Sequence, residues 1–459
     1  MNQKYLQIKE LREPVIKGIT RPEKWRRVQL KRISKLINEH ENEIIQALSA
    51  DLKKPPTEAL FEIIAVNQEL KLAQEQLRQW MRPQPIGVPF SLKPGEAWTE
   101  PEPLGCVLII GPWNYPFSLI IQPLVSALAA GNTAVLKPSE NAPQTSLLIQ
   151  RLINHLFPKD VVEVVTGDGE IASELVQRDF DHIFFTGGSV IGKKVMEAAS
   201  KNLTPITLEL GGKSPAIVLK GADLAATARR LIWGKGLNAG QTCIAPNHIL
   251  VEEKLRFSLL NELKNAQISL YGENPIQSPH LAKIINGHHF ERLTKLLEDA
   301  RSKGQIHHGG RFSQAQRQIE PTIIEVDEQS DPLLEEELFG PLLPVLSTQN
   351  LNSAIGLIQK QPRPLAIYLF GGSKSDQQHL IEKTSSGSIC FNDVVMQAGI
   401  PDLPFGGVGA SGMGRYHGYA GFKTFSNEKS ILKRPFWFDI KLRYPPYNLD
   451  PKVLKNLLG

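Results

Sequence analysis

The chain of 459 residues contains only three cysteines, Cys106, Cys243 and Cys390. An odd and sparse set cannot form the disulfide framework of a small secreted domain, and it is typical of free thiols in a reducing compartment. The formal net charge is only +5 at pH 7, which is too dilute to make a nucleic-acid-binding face. These absences leave one question about chemistry, which is whether any of the three thiols reacts.

Long apolar runs are also absent. The most apolar window, Val107–Ala130, is interrupted by three prolines and by Asn114 and Gln122. This pattern favours a buried strand, a loop and a core helix over a membrane span. The N-terminus lacks the apolar segment of a secretory signal and carries Glu10 and Glu13, so no targeting peptide is expected. We therefore expect a cytoplasmic protein.

The segment 435–459 is basic and rich in aromatic residues, among them Phe436, Trp437 and Tyr444. Two interpretations stay open for it. Such a tail usually packs against its own protein, and it can also make peripheral contact with a membrane surface. It is too short and too polar to cross a membrane.

The length predicts two or three domains, and the pattern of the chain changes near Gly105. Before that point, apolar residues recur at helical spacing, and Pro85, Pro89 and Pro94 then interrupt short extended pieces that predict an arm or edge hairpin. From Gly105 onward, short β-rich segments alternate with helical ones, which predicts βαβ units and parallel sheets. We therefore expect two α/β domains and a small protruding arm.

A glycine turn follows the predicted strand His182–Phe185. Gly188, Ser189 and Gly192 lie in this turn and in the start of the next helix. Glycine lets the backbone approach a ligand closely, and a helix N-terminus offers N–H groups and a positive dipole end to phosphate. The spacing differs from the usual Gly-x-Gly-x-x-Gly of dinucleotide folds, so an ordinary tight turn is the alternative.

Lys137 and Glu140 follow the predicted strand Thr133–Leu136, at the strand end where parallel sheets bind ligands. A lysine and a carboxylate in this place can hold the ribose hydroxyl groups of a nucleotide, although a solvated turn would contain the same residues. The two turns support each other because each follows a strand of the same βα series.

The polar loop Asn238–Asn247 contains Cys243, whereas Cys106 and Cys390 lie among apolar residues, as core cysteines do. Cys243 therefore ranks first as a nucleophile, with an inert thiol as the alternative. The two other thiols are expected to fill space in the core.

Two more residues have chemistry that fits a reactive thiol. Glu209 lies in an apolar predicted strand, where burial would raise its pKa and suit it to act as a general base. A glutamate on a half-exposed strand is the alternative. Asn114 lies in the stiff loop Pro112–Pro116, and its amide either donates to an oxyanion or merely forms a turn.

Together these stretches resemble the NAD(P)-dependent aldehyde dehydrogenase superfamily over nearly the whole chain. Six motifs in the right order carry the resemblance: Pro112–Pro116, Lys137–Glu140, Phe185–Gly192, Glu209–Pro215, Gly240–Cys243 and Glu337–Pro341. The segments Arg363–Phe370 and Leu403–Gly418 are similar to the class 3, fatty aldehyde dehydrogenase branch.

The resemblance implies an α/β fold of the aldehyde dehydrogenase type, with a Rossmann-type cofactor domain, an α/β catalytic domain and a β-arm for oligomerisation. The expected bounds are 1–82 and 100–209 for the NAD(P)-binding domain, 210–422 for the catalytic domain, 83–99 and 423–434 for the arm, and 435–459 for the tail. Resemblance to class 3 also implies a homodimer. The sequence ends at Gly459 without the apolar anchor of the microsomal members, so integral membrane attachment is not expected.

Carried onto this sequence, the family's roles make Cys243 the nucleophile, Glu209 the general base and Asn114 an oxyanion donor. The residues implied to hold the cofactor are Lys137, Glu140, Gly188, Ser189, Gly192, Glu337 and Phe339. The residues implied to line an apolar substrate tunnel are Tyr115, Leu119 and Trp233. The resemblance implies no metal.

The implied reaction oxidises a hydrophobic aldehyde, of a medium- or long-chain, aromatic or apocarotenal-like type, to the carboxylic acid. It proceeds through a thiohemiacetal and a thioester on Cys243. The carboxylate of Glu140 would repel a 2′-phosphate, so NAD is the expected cofactor and NADP the alternative. Two rival functions are a coenzyme A-acylating aldehyde dehydrogenase, which would generally lack Glu209, and a non-catalytic binding or structural relative, which would usually lack Cys243.

Overall fold

The computed structural model describes residues 7–328, 330–439, 443–447 and 450–458. The chain folds as an α/β protein with two large, mainly parallel sheets, as the sequence predicts. It begins with three helices, the second of which bends at His40, where the backbone leaves helical geometry. These helices are α1 (Ile8–Ile16), α2 (Glu23–Leu52) and α3 (Pro56–Trp80).

A three-stranded antiparallel sheet forms the arm. Its strands are β1 (Gln84–Ile86), β2 (Glu96–Pro103) and, far along the chain, β18 (Ser426–Lys433). β2 lies in the centre, with β1 on one side and β18 on the other. Most side chains of β18 are exposed. Within the described residues its outer edge has no strand partner, so it presents free main-chain donors and acceptors.

The first large sheet has five parallel strands. They are β3 (Cys106–Ile110), β4 (Thr133–Lys137), β5 (Val162–Val164), β6 (His182–Thr186) and β7 (Ile206–Glu209), connected through α4 (Ser118–Ala130), α5 (Pro143–Leu156), α6 (Gly169–Val176) and α7 (Ser189–Ser200). Their spatial order is β5-β4-β3-β6-β7, so the direction of winding reverses between β3 and β6. Open α/β sheets bind ligands in the crevice at such a reversal, outside the carboxyl ends of the strands.

Burial on both faces explains why these strands have continuous apolar sequences. Every residue of β3 is buried. Val107 and Ile109 pack into the core that contains α2 to α5, whereas Cys106 and Leu108 pack into a second core with residues of α1, α6 and α7. A parallel sheet covered on both faces has this alternation of contacts without an alternation of polarity. Cys106 is therefore a core cysteine, as its apolar neighbours predict.

The second large sheet has seven strands, and all neighbouring strands in it pair in parallel except β10 and β13, which are antiparallel. In chain order the strands of this part of the chain are β8 (Pro215–Val218), β9 (His248–Glu252), β10 (Ile306–His308), β11 (Phe312–Ser313), β12 (Gln318–Ile319), β13 (Thr322–Val326), β14 (Leu342–Thr348), β15 (Ala366–Phe370) and β16 (Ser388–Phe391). The sheet order is β10-β13-β14-β9-β8-β15-β16, and β11 and β12 pair separately. The helices are α8 (Leu224–Gly236), α9 (Arg256–Tyr271), α10 (Gly287–Ser302), α11 (Pro332–Glu335), α12 (Leu351–Gln359) and α13 (Lys374–Lys383).

The chain returns to the first sheet before it completes the arm. β17 (Gly412–Met413) pairs with β7 in the antiparallel direction. α14 (Gly418–Thr424) then places Phe422 against Trp80 of α3, with ring centroids 5.7 Å apart. Both elements lie in the sequence range 210–422 or at its end, so the predicted bounds between the two domains stay a prediction.

The predicted tail lies partly outside the described residues, at 440–442, 448–449 and 459. In the described part, the side chains of Phe436 and Trp437 are largely exposed to solvent. The short helix α15 (Pro451–Leu458) follows them. Across the described ranges, the helices found are all too short or too polar to span a bilayer.

Candidate active site

A cleft of about 750 Å³ opens between the two large sheets. It lies at the carboxyl ends of β6 and β7 on one side and at loops that precede β9 and β14 on the other. The residues singled out from the sequence that line it are Asn114, Leu119, Gly188, Ser189, Glu209, Cys243, Glu337 and Phe339. The others, Tyr115, Lys137, Glu140, Gly192 and Trp233, lie outside its lining. The fold thus brings the candidate nucleophile, base and oxyanion donor into one cavity.

Cys243 follows a stretch of strained backbone. Asn238, Ala239 and Gly240 have φ angles of 50°, 53° and 74°, in the left-handed region that costs a residue with a Cβ roughly 1–2 kcal/mol. Glycine is required at position 240, since a Cβ there would lie 2.2 Å from the carbonyl oxygen of Gly340. Such strain persists only where the surrounding structure enforces it, and it is frequent at active sites.

The thiol of Cys243 is held where ionisation is unfavourable. Burial and the nearby carboxyl groups of Glu337 and Glu209 raise its pKa to about 12, while the backbone N–H groups of Cys243 and Ile244 act in the opposite direction. A thiolate is the reactive form of cysteine. Cys243 therefore needs a proton acceptor close by in order to react, and the carboxyl groups of Glu209 and Glu337, which act on its pKa, line the same cleft.

The loop of Asn114 is fixed against the loop of Cys243. The side-chain amide of Asn114 donates to the carbonyl oxygen of Gln241 at 3.0 Å. Its backbone carbonyl accepts from the side-chain amide of Asn238 at 2.9 Å. Asn114 is buried, and its amide has a second N–H to offer in the cleft. A side-chain donor and the thiol therefore line the same cleft, as stabilisation of an oxyanion requires.

Glu209 is the last residue of β7, and its side chain is buried. Within the described residues, neither of its carboxyl oxygens has a hydrogen-bond partner. Burial raises the pKa of Glu209 well above its ordinary value, and the positive charge of Arg415 offsets this only in part. An unpaired carboxyl group in such a place is unfavourable for folding. It is well suited to exchange protons with a molecule in the cleft.

Glu337 lies against the connection between the two sheets. A Cβ added to Gly211 would meet its carboxylate at 2.0 Å, and the backbone N–H of Gly212 donates to it. Burial raises the pKa of Glu337 to about 7, while that hydrogen bond and the charges of Lys235 and Arg292 oppose the rise. This carboxylate is therefore held in the cleft lining by the connection between the two sheets.

An aromatic wall stands beside Glu337. Phe339 has a φ angle of 45°, which is unusual for a large side chain. It packs edge-on against Trp113, with ring centroids 5.3 Å apart, and His289 packs against the same indole at 5.4 Å. Five further residues line the cleft and were not predicted from the sequence as site residues: His288, His289, Arg292, Phe405 and Tyr416. Paired histidines followed by an arginine, all on α10, were the available signal, but no short motif marks them.

The glycine turn joins β6 to α7. No atom lies within 4 Å of a Cβ added to Gly188, so the backbone is open on that side. Ser189 is the first residue of α7, whose leading N–H groups have no partners within the helix. A phosphate group therefore fits there. Gly192 has a different environment, because a Cβ would lie 2.7 Å from a methyl group of Leu210, so this glycine permits close packing of helix on strand.

Lys137 and Glu140 lie at the carboxyl end of β4. The buried ammonium group of Lys137 donates to the carboxylate of Glu140 at 3.0 Å and to the carbonyl oxygen of Pro138 at 3.1 Å. The side chain of Glu140 is partly exposed, so its carboxylate remains accessible. The pair stands at the same sheet edge as the glycine turn, which is the placement that the sequence predicts.

The three residues proposed for a substrate tunnel have different surroundings. The phenol of Tyr115 shares a hydrogen bond with the hydroxyl of Thr242 at 2.7 Å, directly before Cys243 in sequence. Leu119, in the first turn of α4, lines the cleft. Trp233 is half-buried and packs on the apolar cluster that Cys243 also contacts. Tyr115 therefore contacts the nucleophile loop, and neither Tyr115 nor Trp233 belongs to the cleft lining.

Comparison with known proteins gives a consistent result. A model of the aldehyde dehydrogenase family matches residues 19–431. A 4,4′-diaponeurosporen-aldehyde dehydrogenase of Staphylococcus aureus is 42% identical over 432 residues, which is 94% of either chain. Aldehyde dehydrogenase family 3 member A2 of Macaca fascicularis is 41% identical over 450 residues, 97% of this chain and 92% of the relative. The structure of substrate-bound Staphylococcus aureus AldH has a TM-score of 0.96 at 40% identity, with 100% of both chains covered.

The matched range contains both large sheets, the cleft between them and most of the arm. The chain resembles these relatives in sequence as well as in fold. The Macaca fascicularis relative is named as a member of aldehyde dehydrogenase family 3. The chain belongs to the aldehyde dehydrogenase family, in its class 3 branch, and is an oxidoreductase that acts on aldehydes with a nicotinamide cofactor.

Proposed function

We propose that this enzyme oxidises a hydrophobic aldehyde to the carboxylic acid with NAD, through covalent intermediates on Cys243. One observation carries the proposal. The cleft places a thiol, an unpaired buried carboxyl group and an amide donor together, at Cys243, Glu209 and Asn114. A thiol can add to a carbonyl group and leave again, and a carboxylate can activate water in between.

In the proposed first step, the sulfur of Cys243 adds to the aldehyde carbon, and the thiol proton passes to a carboxylate of the cleft. The carbonyl oxygen becomes the oxyanion of a thiohemiacetal. The second amide N–H of Asn114 and the backbone N–H of Cys243 would donate to it. Loss of one such donor typically lowers a rate by about 10²–10³-fold, so the rigid contact between the two loops matters for catalysis.

The structure fits a nicotinamide cofactor on the side of the first sheet. The open backbone at Gly188 and the N-terminus of α7 at Ser189 suit its phosphates, whereas Lys137 and Glu140 suit the hydroxyl groups of a ribose. Glu337 and Phe339 would orient the nicotinamide end. A nicotinamide bound there would supply the hydride acceptor for the thiohemiacetal carbon, so that a thioester remains on the sulfur of Cys243.

In the proposed last step, Glu209 takes a proton from a water molecule that attacks the thioester. This step releases the acid and returns Cys243 to its thiol form. Glu209 suits the role because its raised pKa makes it a stronger base than an ordinary carboxylate. A coenzyme A-acylating enzyme would not need this base, so its presence favours hydrolysis.

We expect kcat/KM to rise with the length of the aldehyde. Leu119, Phe405 and Tyr416 give the cleft apolar surface, and each buried methylene contributes about 0.8 kcal/mol, or roughly fourfold in kcat/KM. The name of the Staphylococcus aureus relative, a 4,4′-diaponeurosporen-aldehyde dehydrogenase, supports this direction. Absorbance of the reduced cofactor, followed for acetaldehyde, longer saturated aldehydes, benzaldehyde and an apocarotenal, measures the series. Highest kcat/KM on acetaldehyde would contradict an apolar tunnel, and formation of an acyl-coenzyme A in the presence of coenzyme A would contradict hydrolysis.

We expect NAD to be preferred to NADP, because the carboxylate of Glu140 would repel a 2′-phosphate. Glu140→Gln removes that charge and keeps the size of the side chain, so kcat/KM for NADP should rise by about tenfold, equivalent to about 1.4 kcal/mol. The control is Glu163→Gln, a half-buried glutamate of β5 away from the cleft, which should leave the ratio unchanged. Wild-type preference for NADP at equal concentration would rule out this role for Glu140.

We also propose a homodimer that forms through the arm. β18 has a free outer edge, and β16 is an edge strand of the second large sheet; neither has a further strand partner within the described residues. Free edges of this kind pair readily with another chain, and a two-fold arrangement would close both.

We propose the cytoplasm as the location, since all three cysteines are free. We also propose peripheral membrane contact through the exposed Phe436 and Trp437 of the tail.

A further inference from the structure

The start of α3 faces the two loops that hold the reactive groups. Glu58 and Glu62 lie one helical turn apart and therefore on one face of the helix. The carboxylate of Glu58 accepts from the backbone N–H of Asn238 at 2.8 Å. That of Glu62 accepts from the backbone N–H groups of Phe117 and Ser118 at 3.1 and 3.0 Å. One helix turn thus holds both the loop before Cys243 and the loop after Asn114.

A buried lysine completes this arrangement. Lys54, just before α3, forms an ion pair with Glu62, and both side chains are fully buried. Its ammonium group also donates to the backbone carbonyl of Asn114 at 2.8 Å and lies 4.0 Å above the ring of Tyr115. All three of its donors therefore have partners. A buried ion pair is retained at little gain in stability, so its use is more easily understood as placement of the Asn114 loop.

The two loops are joined at Asn114, first through its backbone carbonyl oxygen. It accepts from Lys54 and from the side chain of Asn238. The side chain of Asn114 in turn donates to Gln241, two residues before Cys243. A shift of either loop must therefore move the other, and with it the distance between the amide donor and the sulfur.

The loop before Cys243 needs support because its backbone is strained. Asn238 and Ala239 both have positive φ angles, at a cost of roughly 1–2 kcal/mol for each. A backbone N–H in such a stretch has lost its helical or strand partner, and Glu58 supplies the acceptor for the first of them. Without that acceptor, the strained residues can relax toward ordinary φ angles, and Cys243, which follows in the same loop, would be displaced.

We propose that Glu58 is a positioning residue, which holds the strained loop of Cys243 against the loop of Asn114 through the backbone N–H of Asn238. Lys54 and Glu62 hold the Asn114 side of the same contact. Glu58 touches neither aldehyde nor cofactor in this role. The inference rests on the proposed function, because it assigns the distance between thiol and oxyanion donor to a helix outside the cleft.

The test compares Glu58→Leu, which removes the acceptor, with Glu58→Gln, which keeps an oxygen that can accept from Asn238. We expect Glu58→Leu to lower kcat and kcat/KM equally, by about 10²-fold, as misplacement of reacting groups does. KM for the aldehyde and the affinity for NADH, followed by its fluorescence, should stay unchanged. Glu58→Gln should restore at least half of the wild-type kcat. Glu75→Leu, at an exposed glutamate of the same helix, is the control for the substitution itself.

A second measurement needs no aldehyde turnover. The rate of alkylation of Cys243 by iodoacetamide, assigned by mass spectrometry of the labelled peptide, should change by at least about tenfold in Glu58→Leu and stay near wild type in Glu58→Gln. If Glu58→Leu does not fold, Glu58→Ala removes the same acceptor without added bulk. Unchanged kcat and alkylation in the acceptor-free variant, or equal losses in the leucine and glutamine variants, would overturn the role of Glu58. Either result would leave the proposed oxidation intact, since that depends on wild-type activity and on Cys243.

Discussion

Cys243→Ala is expected to lower aldehyde oxidation by at least about 10⁴-fold, since removal of a covalent nucleophile leaves only binding and oxyanion stabilisation to assist the reaction. The cleft contains no other thiol, because Cys106 is buried in the first sheet and Cys390 lies in β16. The loss should appear in kcat, whereas the affinity for NADH should stay within about twofold. Reduced-cofactor absorbance and NADH fluorescence measure the two quantities.

The matched controls are Cys106→Ala and Cys390→Ala. Burial raises the pKa of the Cys106 thiol to about 12, and the thiol of Cys390 is half-buried with its pKa also raised by burial. Neither lines the cleft, so both variants should keep kcat near the wild-type value. Activity that survives Cys243→Ala would overturn the covalent mechanism. A wild-type chain without any aldehyde oxidation would instead favour a binding role for the fold.

The strands of the first large sheet could be predicted from sequence because each is buried on both faces. β3 and β4 are continuous apolar segments, and only such segments satisfy a sheet that helices cover on either side. The same reasoning predicted Glu209 within an apolar strand and Lys137 directly after another, and in the structure each is the last residue of its strand, β7 and β4. The local pattern was sufficient here because these polar residues lie at the ends of apolar strands that can be recognised from a few neighbouring residues.

The contacts that complete the site could not be predicted, because they join residues far apart in sequence. Nothing in the pattern of α3 distinguishes Glu58 and Glu62, which reach the active loops, from a glutamate on its solvent face. Ala239 and Phe339 have positive φ angles, although neither is a glycine or an asparagine, so the residue type itself does not indicate this conformation. Their strain is enforced by neighbours from other elements, and sequence spacing carries no information about those neighbours.

The second large effect concerns Glu209. We expect Glu209→Gln to lower steady-state kcat by about 10²–10⁴-fold, the usual range for loss of a general base. If Glu209 acts mainly in hydrolysis, the first turnover should remain fast. A burst of reduced cofactor close to one equivalent of enzyme should then precede the slow phase, because the thioester on Cys243 accumulates. Stopped-flow absorbance measures the burst, and mass spectrometry of the quenched protein detects the acyl group.

The size of the burst separates two uses of this carboxylate. In Glu209→Gln, the rate of the first turnover could fall by the same factor as the steady-state rate, so that no burst is seen. That result would show that Glu209 already acts when the thiol of Cys243 loses its proton, before hydride transfer. The wild-type kcat should also rise with pH as Glu209 loses its own proton, since its raised pKa leaves it protonated at lower pH. Glu209→Gln should lack this limb of the pH profile.

The same raised pKa makes Glu209 unfavourable for stability, and the sign can be tested. A carboxyl group whose folded-state pKa lies above its unfolded value contributes stability fully below the unfolded pKa and loses that contribution as pH rises through the folded one. Glutamine has no charge to lose, so Glu209→Gln should gain in Tm relative to wild type as pH rises across that window. A Tm difference between variant and wild type that does not change with pH would contradict the unpaired, buried state of the carboxyl group. A gain in stability together with a loss of turnover would mean that Glu209 is retained for its chemistry, at the expense of the fold.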